Sequence, residues 1–487
     1  MLIGLFTTRI VLQRLGDINY GIYSVVAGLV GMLAVFQTAM SMTTMRYLSH
    51  SLGGGDLFII RKTFNTTLFL HFIIGFIVFL AIELGGIFLL NSFLNIPSSK
   101  LFEAKVVYHL MALTTFVVII AVPYDAVINA HENLVVLSVV DVLGSLLRLV
   151  LALLLILFGS NVLIPYAIGM FLIEIILRVL KQGYSKLNYL ECRINFKFYD
   201  KALLKEIVGF FGWNFIGAIS MMTVVQVRSI ILNVFFGVKV NASEGIAKTA
   251  SDHVNMVSVN LTRAINPQLV KSEGAGDRDR VFRITNISTK YSIILFSLFA
   301  IPIIIEMPLI FDLWLNSVPE FAVIFARLSL ISILITKFTN EIPAAFRAIG
   351  KMKIFQIYDT IILLLNIPIS YYLFKINFPQ YSIYIVGIVI SILSGLYRIY
   401  IAHKIINLDY RKFYNEAIKP TLLPFIVASC LGFIVYAYFP YGIFRFLFNL
   451  FICTISVIGI TYFLVFDKSE KQQINNVFFS IKKYIHK

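Results

Sequence analysis

Apolar runs long enough to cross a lipid hydrocarbon core recur along the whole chain, and polar residues gather in the short gaps between them. About 20 apolar residues suffice for one crossing. On that measure the pattern predicts spans near 1–15, 20–45, 63–90, 104–128, 134–158, 160–182, 206–236, 243–268, 284–312, 320–346, 352–375, 382–405, 420–438 and 442–466. The expected fold class is an all-α polytopic membrane protein with about 14 transmembrane helices. No soluble domain fits between the spans. Only about fifteen residues precede Gly16, so either the true start lies upstream of Met1 or the first span is truncated.

One stretch occurs twice. Leu15-Gly16 leads through a long helix to Gly53-Gly54-Gly55-Asp56, and Phe236-Gly237 leads through another to Gly274-Ala275-Gly276-Asp277. A single offset of 221 overlays Gly16 on Gly237, Gly53 on Gly274, Gly55 on Gly276 and Asp56 on Asp277. Val122-Pro123 then matches Ile342-Pro343 with the offset changed by one. A lone G-x-G-D turn is weak, because Gly commonly ends a helix and Asp caps the next. Two such turns and two prolines in register imply an internal duplication of six helices. Six is even, so both halves insert the same way up, related by a pseudo-twofold along the membrane normal. Such an architecture places a transported ligand between the halves. The divisions expected are a six-helix lobe at 1–182, a linker at 183–205, a second lobe at 206–405, two additional helices within 406–466 and a basic tail at 467–487.

Composition and charge refine this picture. Of 487 residues 59% are hydrophobic and 14% charged, against about a quarter charged in soluble domains. The net charge of +16 does not indicate nucleic acid, because the basic residues are spread over alternate loops instead of one patch. Lys181, Lys186, Arg193, Lys197, Lys201 and Lys205 cluster in one such loop, which the positive-inside rule places in the cytoplasm together with both termini. The expected location is therefore a cell membrane crossed many times. Cys192, Cys430 and Cys453 are scattered and suggest neither a disulfide framework nor a metal site. The apolar start lacks the basic leader and cleavage site of a signal peptide.

Candidate chemistry lies on the eighth span. Lys248, Asp252, Asn255, Val259, Thr262 and Asn266 are spaced 4-3-4-3-4, which is one stripe of a helix. The offset places Ala27, Gly31, Ala34, Thr38 and Ser41 opposite the first five, a small-residue face suited to close helix packing. Lipid does not tolerate Lys, Asp and Asn on one stripe, so this face is expected to look into water or a polar cavity. Arg9, Arg228 and Arg263 have no obvious local partner. Lys248 and Asp252 are spaced to pair, as are Asp141 and Arg148. Arg46 sits at a helix end, where topology alone accounts for it. Enzymatic motifs are absent: no H-E-x-x-H, P-loop or G-x-S-x-G occurs.

The chain resembles the Wzx-type polysaccharide flippases, which belong with multidrug (MATE) exporters and lipid II flippases. The resemblance rests on Leu15-Gly16, Tyr20-Gly21-Ile22-Tyr23, Arg46, Gly53–Asp56, Val122-Pro123-Tyr124 and Ala130-His131-Glu132. In the second half it rests on Gly212-Trp213-Asn214, Asn241-Ala242, Gly245-Ile246-Ala247, Asn266-Pro267-Gln268, Lys271-Ser272, Leu313-Trp314-Leu315 and Val318-Pro319-Glu320. It implies a flippase of the bacterial cytoplasmic membrane for oligosaccharide carried on undecaprenyl diphosphate, with H+ or Na+ as coupling ion, other polysaccharide-assembly proteins as partners and no cofactor. It further implies a cavity with cationic residues at Arg9, Arg46, Arg228 and Arg263. A guanidinium fork suits a diphosphate, and Arg263 is the expected principal ligand. Two other readings stand beside it. A cation-coupled drug exporter would favour an acidic cavity. A membrane glycan polymerase or ligase would need a larger outward loop.

Overall fold

The computed structural model describes residues 34–88, 100–158, 162–315, 318–468 and 470–472, with residues 7, 10, 11, 14, 15, 19, 22 and 23 before them. Among the described residues the regular structure is helical, and no strand occurs. From Ala34 onward the helices are α1 (Ala34–Gly54), α2 (Leu57–Phe88), α3 (Leu101–Ala130), α4 (Leu134–Leu154) and α5 (Leu163–Asn188). Short 3-10 turns at Leu190–Cys192 and Phe196–Phe198 lead to α6 (Lys201–Phe236) and α7 (Val238–Gly274). Then follow α8 (Arg278–Ile305), α9 (Met307–Trp314), α10 (Ala322–Lys337), α11 (Ile342–Ile349), α12 (Met352–Leu364), α13 (Asn366–Lys375) and α14 (Ser382–Ile406). The chain closes with α15 (Tyr410–Phe413), α16 (Lys419–Tyr438) and α17 (Ile443–Ile460).

Ten helices among the described residues are long and apolar enough to cross a membrane, and α10 with α11, bent by 45° between them, is so only as a pair. The protein is a multi-pass membrane protein. Two thirds of the expected first span lies outside the described residues, as do Gly16, Ala27 and Gly31.

By internal contact the chain divides into two compact units, Met1–Ile219 with Val270–Asp277, and Ser220–Leu269 with Arg278–Lys487. The first packs Met40, Val78, Ile82, Val107, Ile119 and Ala167 into one core. A second cluster around Leu48, Phe64, Tyr124 and Cys192 draws the linker against α1, α2 and α3. The second unit is centred on Leu232, Ala247, Phe296, Phe325 and Leu334. The two additional helices dock on α8 through Ile301, Ile305, Ala428, Cys453 and Val457.

Charges inside spans need partners, because lipid supplies none. Arg148 donates to Glu174 at 2.6 Å, and Glu83 meets His109 at 2.6 Å. Lys181 lies 3.2 Å from Asp125 and 4.0 Å from Asp141. Asp141 and Arg148 therefore do not pair as their spacing suggests; each is taken by a neighbouring helix. Arg327 solves a different problem. Pro308 has no N–H for the Ile304 carbonyl four residues back, and Arg327 Nε donates to that oxygen at 2.8 Å and Nη2 to Ile305 O at 2.9 Å. The break between α8 and α9 is thus sealed by a side chain from α10.

Candidate functional site

Helix α7 has 37 residues, ample length for a crossing, yet it is not among the helices apolar enough to be one. Its polarity is arranged on a face. Gly245, Lys248, Thr249, Asp252, His253, Met256, Val259, Asn260 and Arg263 are exposed, and the residues between them are buried or half-buried. At 100° per residue this face is rotated by roughly 70° from the stripe expected from spacing, and Arg263 falls at its centre. Asn255, Thr262 and Asn266 lie on its flank and are half-buried.

The rotation has identifiable causes. Thr262 Oγ1 donates to Glu341 Oε1 at 2.8 Å, and Glu341 is 1% exposed at the start of α11. One turn earlier the Ser258 hydroxyl lies 2.9 Å from that of Ser292 on α8. Two turns earlier still, Ser251 is buried and bonds its own helix at Ala247 O, 2.8 Å away. These small hydroxyl residues hold the inner side of α7 and turn the opposite side outward. Lys337, buried nearby at 4% exposure, sets its ammonium 5.6 Å from the Phe296 ring.

On the exposed face Lys248 and Asp252 pair with each other, as their spacing suggests. Arg263 makes no hydrogen bond or ion pair among the described residues. Pro267, one turn on and inside the helix, lacks the N–H that would engage the Arg263 carbonyl. A guanidinium without a partner among the described residues and a carbonyl without its usual helical donor therefore sit together at one level of α7.

The other expected cations differ. Arg228 on α6 donates to Glu244 Oε1 at 2.9 Å and lies 5.0 Å from the Tyr384 ring centre, so its charge is answered within the second unit. Arg46 on α1 is 9% exposed, 4.6 Å from the Tyr47 ring centre and 4.7 Å from that of Phe210. Tyr47 in turn donates to Glu206 at 3.0 Å, and Asn214 to Thr43 at 3.1 Å, which joins α1 to the first half of α6. Arg9 lies outside the described residues. Spacing along the eighth span passed over His253, Asn260 and Glu341. The first two share the exposed face with Arg263 and were within reach of a rotated helical wheel; Glu341 belongs to another helix and left no signal on α7.

Among the described residues no three His, Cys, Asp or Glu side chains are grouped to hold a metal ion. Cys192 and Cys453 are buried free thiols and Cys430 is an exposed one.

No protein-family model matches the chain, and no curated protein matches it in sequence. Solved structures match in fold. A MATE transporter in its bent conformation aligns with a TM-score of 0.73 at 14% identity, over 84% of this chain and 92% of that one. The MATE transporter ClbM in complex with Rb+ aligns at 0.69 and 13% identity, over 85% and 94%. A transporter of the MOP superfamily from Pyrococcus furiosus, described as having a binding pocket of reverse polarity that suggests a different function, aligns at 0.65 and 14%, over 83% and 93%. The chain has the fold of these transporters.

Proposed function

We propose that the protein is a flippase that moves oligosaccharide linked to undecaprenyl diphosphate across the bacterial cytoplasmic membrane by alternating access, for surface polysaccharide assembly. The observation that carries this reading is Arg263, an exposed cation with no partner among the described residues, centred on the polar face of a helix of membrane-spanning length. An exposed polar face on such a helix is costly against lipid and inexpensive against water. A diphosphate is a ligand class that a guanidinium binds well, through paired charge-assisted hydrogen bonds. A glycan also needs a wet path, since unpaired hydroxyls in hydrocarbon cost several kcal/mol each, on the order of 2–7. The isoprenoid tail can remain in lipid while the headgroup crosses. In this scheme the lobes 1–182 and 206–405 alternate about the substrate, with H+ or Na+ as driving ion, both termini in the cytoplasm and other polysaccharide-assembly proteins alongside.

A multidrug exporter shares the fold and is supported equally by the solved structures. It would draw on acidic groups, and the one carboxylate on the exposed face of α7, Asp252, is occupied by Lys248. The reverse-polarity pocket ascribed to the Pyrococcus furiosus transporter is a precedent for a change of pocket polarity on this fold. Headgroup translocation in proteoliposomes, run in parallel with lipid-linked oligosaccharide and with cationic drugs, separates the two. Drug movement without lipid-linked glycan movement would overturn the flippase reading.

A further inference from the structure

The linker between α5 and α6 is built as a rigid base, unlike a solvated loop. Asn195 N donates to Asn65 Oδ1 at 2.8 Å, Asp200 N donates to Thr66 Oγ1 at 3.2 Å, and Asp200 also pairs with Lys62. Glu191 is 4% exposed, with His131 Nε2 2.6 Å from its Oε1, and that imidazole stacks on Tyr189 at 4.1 Å. Cys192 is fully buried between these contacts. Backbone and side chains of the linker are thereby fastened to the first turns of α2 and to the end of α3.

The outward side chains show an unusual alternation. Leu187, Leu190 and Ile194 are 88%, 53% and 46% exposed, and Lys186, Arg193 and Lys197 stand exposed among them. Three apolar side chains held into water by a rigid base would be a poor solvated surface. A surface of mixed apolar and basic side chains is the composition of membrane-interface segments. Its height agrees: α5 has 26 residues, roughly 39 Å of helix against a hydrocarbon core of about 30 Å, so its last turns, with Lys186 and Leu187, emerge at headgroup level.

We infer that this face is a binding platform for anionic phospholipid, with Lys186, Arg193 and Lys197 on the phosphate headgroups and Leu187, Leu190 and Ile194 seated in the acyl boundary. The occupant is bilayer lipid and not a protein, because the apolar residues are interleaved with the basic ones at the mouth of a span. The inference is independent of what the protein transports.

The test uses full-length protein in neutral detergent, with Cys430→Ser and a dye on Asn188→Cys, titrated with quencher-labelled phosphatidylglycerol or phosphatidylcholine. Phosphatidylglycerol should bind more tightly, and added salt should weaken it. The triple variant Lys186→Gln, Arg193→Gln, Lys197→Gln should lose affinity by about a hundredfold at low salt, each basic residue near an anionic surface being worth roughly fivefold. Lys239→Gln, Arg283→Gln, Lys375→Gln, an equal change of charge elsewhere, should shift it less than twofold. Leu187→Gln with Ile194→Gln should weaken both lipids alike. The three single variants are titrated too, so a folding defect in the triple does not decide the outcome. Equal binding of the two lipids, or a triple variant no weaker than the control, overturns the inference. Unchanged lipid binding with loss of a co-purifying polypeptide would also overturn it, in favour of a protein partner.

Discussion

Gly53 and Gly274 make the same contact from opposite sides. A Cβ on Gly53 would lie 2.1 Å from the Lys271 carbonyl oxygen, and a Cβ on Gly274 would lie 2.1 Å from the His50 carbonyl oxygen. The offset of 221 that overlays the glycines also carries His50 to Lys271. The ends of α1 and α7 thus meet backbone to backbone across a local twofold, all within the first unit. Gly55 and Gly276, two residues on, share left-handed φ angles of 76° and 78°. Lys271 Nζ further binds Glu132 Oε1 at 2.7 Å, joining two of the short motifs read from the sequence.

Gly53→Ala and Gly274→Ala should each destabilise the protein. Alanine ordinarily favours a helix over glycine by about 1 kcal/mol. Here the methyl meets a backbone atom that cannot rotate away, and overpacking of that kind costs about 1–3 kcal/mol. The double variant should cost less than the two single changes added, since one shift of the backbone relieves both. Thermal midpoints in detergent check this. A midpoint at or above wild type for either single variant would show that the contact is slack.

Glu306 and Arg445 should be inseparable. Glu306 is 0% exposed at the break between α8 and α9; Arg445 Nη2 donates to it at 2.8 Å and Asn449 Nδ2 at 3.1 Å. Arg445→Met strands a buried carboxylate, at a cost of about 3–5 kcal/mol, and should lower the yield of folded protein sharply. Adding Glu306→Gln removes the stranded charge and keeps an acceptor for Asn449, so much of the loss should return. Size-exclusion thermostability of the two variants measures it. A double variant no better than the single would place the cost elsewhere.

The fold was legible because span length and the repeated turns are local properties of the chain. The ion pairs were less so, since which helix faces meet is decided by packing. Asp141 and Arg148 have the spacing of a pair yet engage Lys181 and Glu174. Arg228 has no acid within four residues and finds Glu244 across the turn into α7. Periodicity placed the polar side of α7 to within a fraction of a turn; the rest depended on Ser292 and Glu341, which belong to other helices.

The linker should loosen in acid. Glu191 loses hydration on burial, which alone would raise its pKa, but the His131 bond and a backbone N–H outweigh this and hold the carboxyl below its ordinary 4.5. A depressed carboxyl contributes stability that is complete above the ordinary value and is lost as pH falls through the lower, folded value. Amide exchange across 186–200 should therefore quicken as pH drops below about 4.5, after correction for intrinsic rates. Glu191→Gln should abolish that component. A pH profile identical in wild type and variant would assign it to another group, such as Asp200, whose pairing with Lys62 also lowers its pKa.

Cysteine scanning of α7 should follow the exposed face and not the stripe drawn from spacing. Met256→Cys, Val259→Cys and Asn260→Cys should react with a membrane-impermeant thiol reagent in a Cys430→Ser background. Asn255→Cys and Thr262→Cys, half-buried, should react at least several-fold more slowly. Uniformly inert positions at 256, 259 and 260 would mean that the face contacts lipid or protein instead of water.

Arg263 carries the most specific expectation. It stands at the centre of the exposed face, without an ion-pair partner among the described residues, four residues before a proline that cannot donate to its carbonyl. A charge-assisted hydrogen bond is worth about 1.5–3 kcal/mol, so removing the guanidinium should weaken diphosphate binding by roughly tenfold or more. Arg263→Ala should keep the wild-type thermal midpoint, because no group among the described residues loses a bond, yet fail to translocate lipid-linked glycan in proteoliposomes. Arg263→Lys keeps the charge but lacks the planar fork and should recover only part of the rate. A packing role would give the reverse order, with a lowered midpoint and transport scaling with the amount of folded protein. An alanine variant that folds and flips at the wild-type rate would remove Arg263 from the binding site.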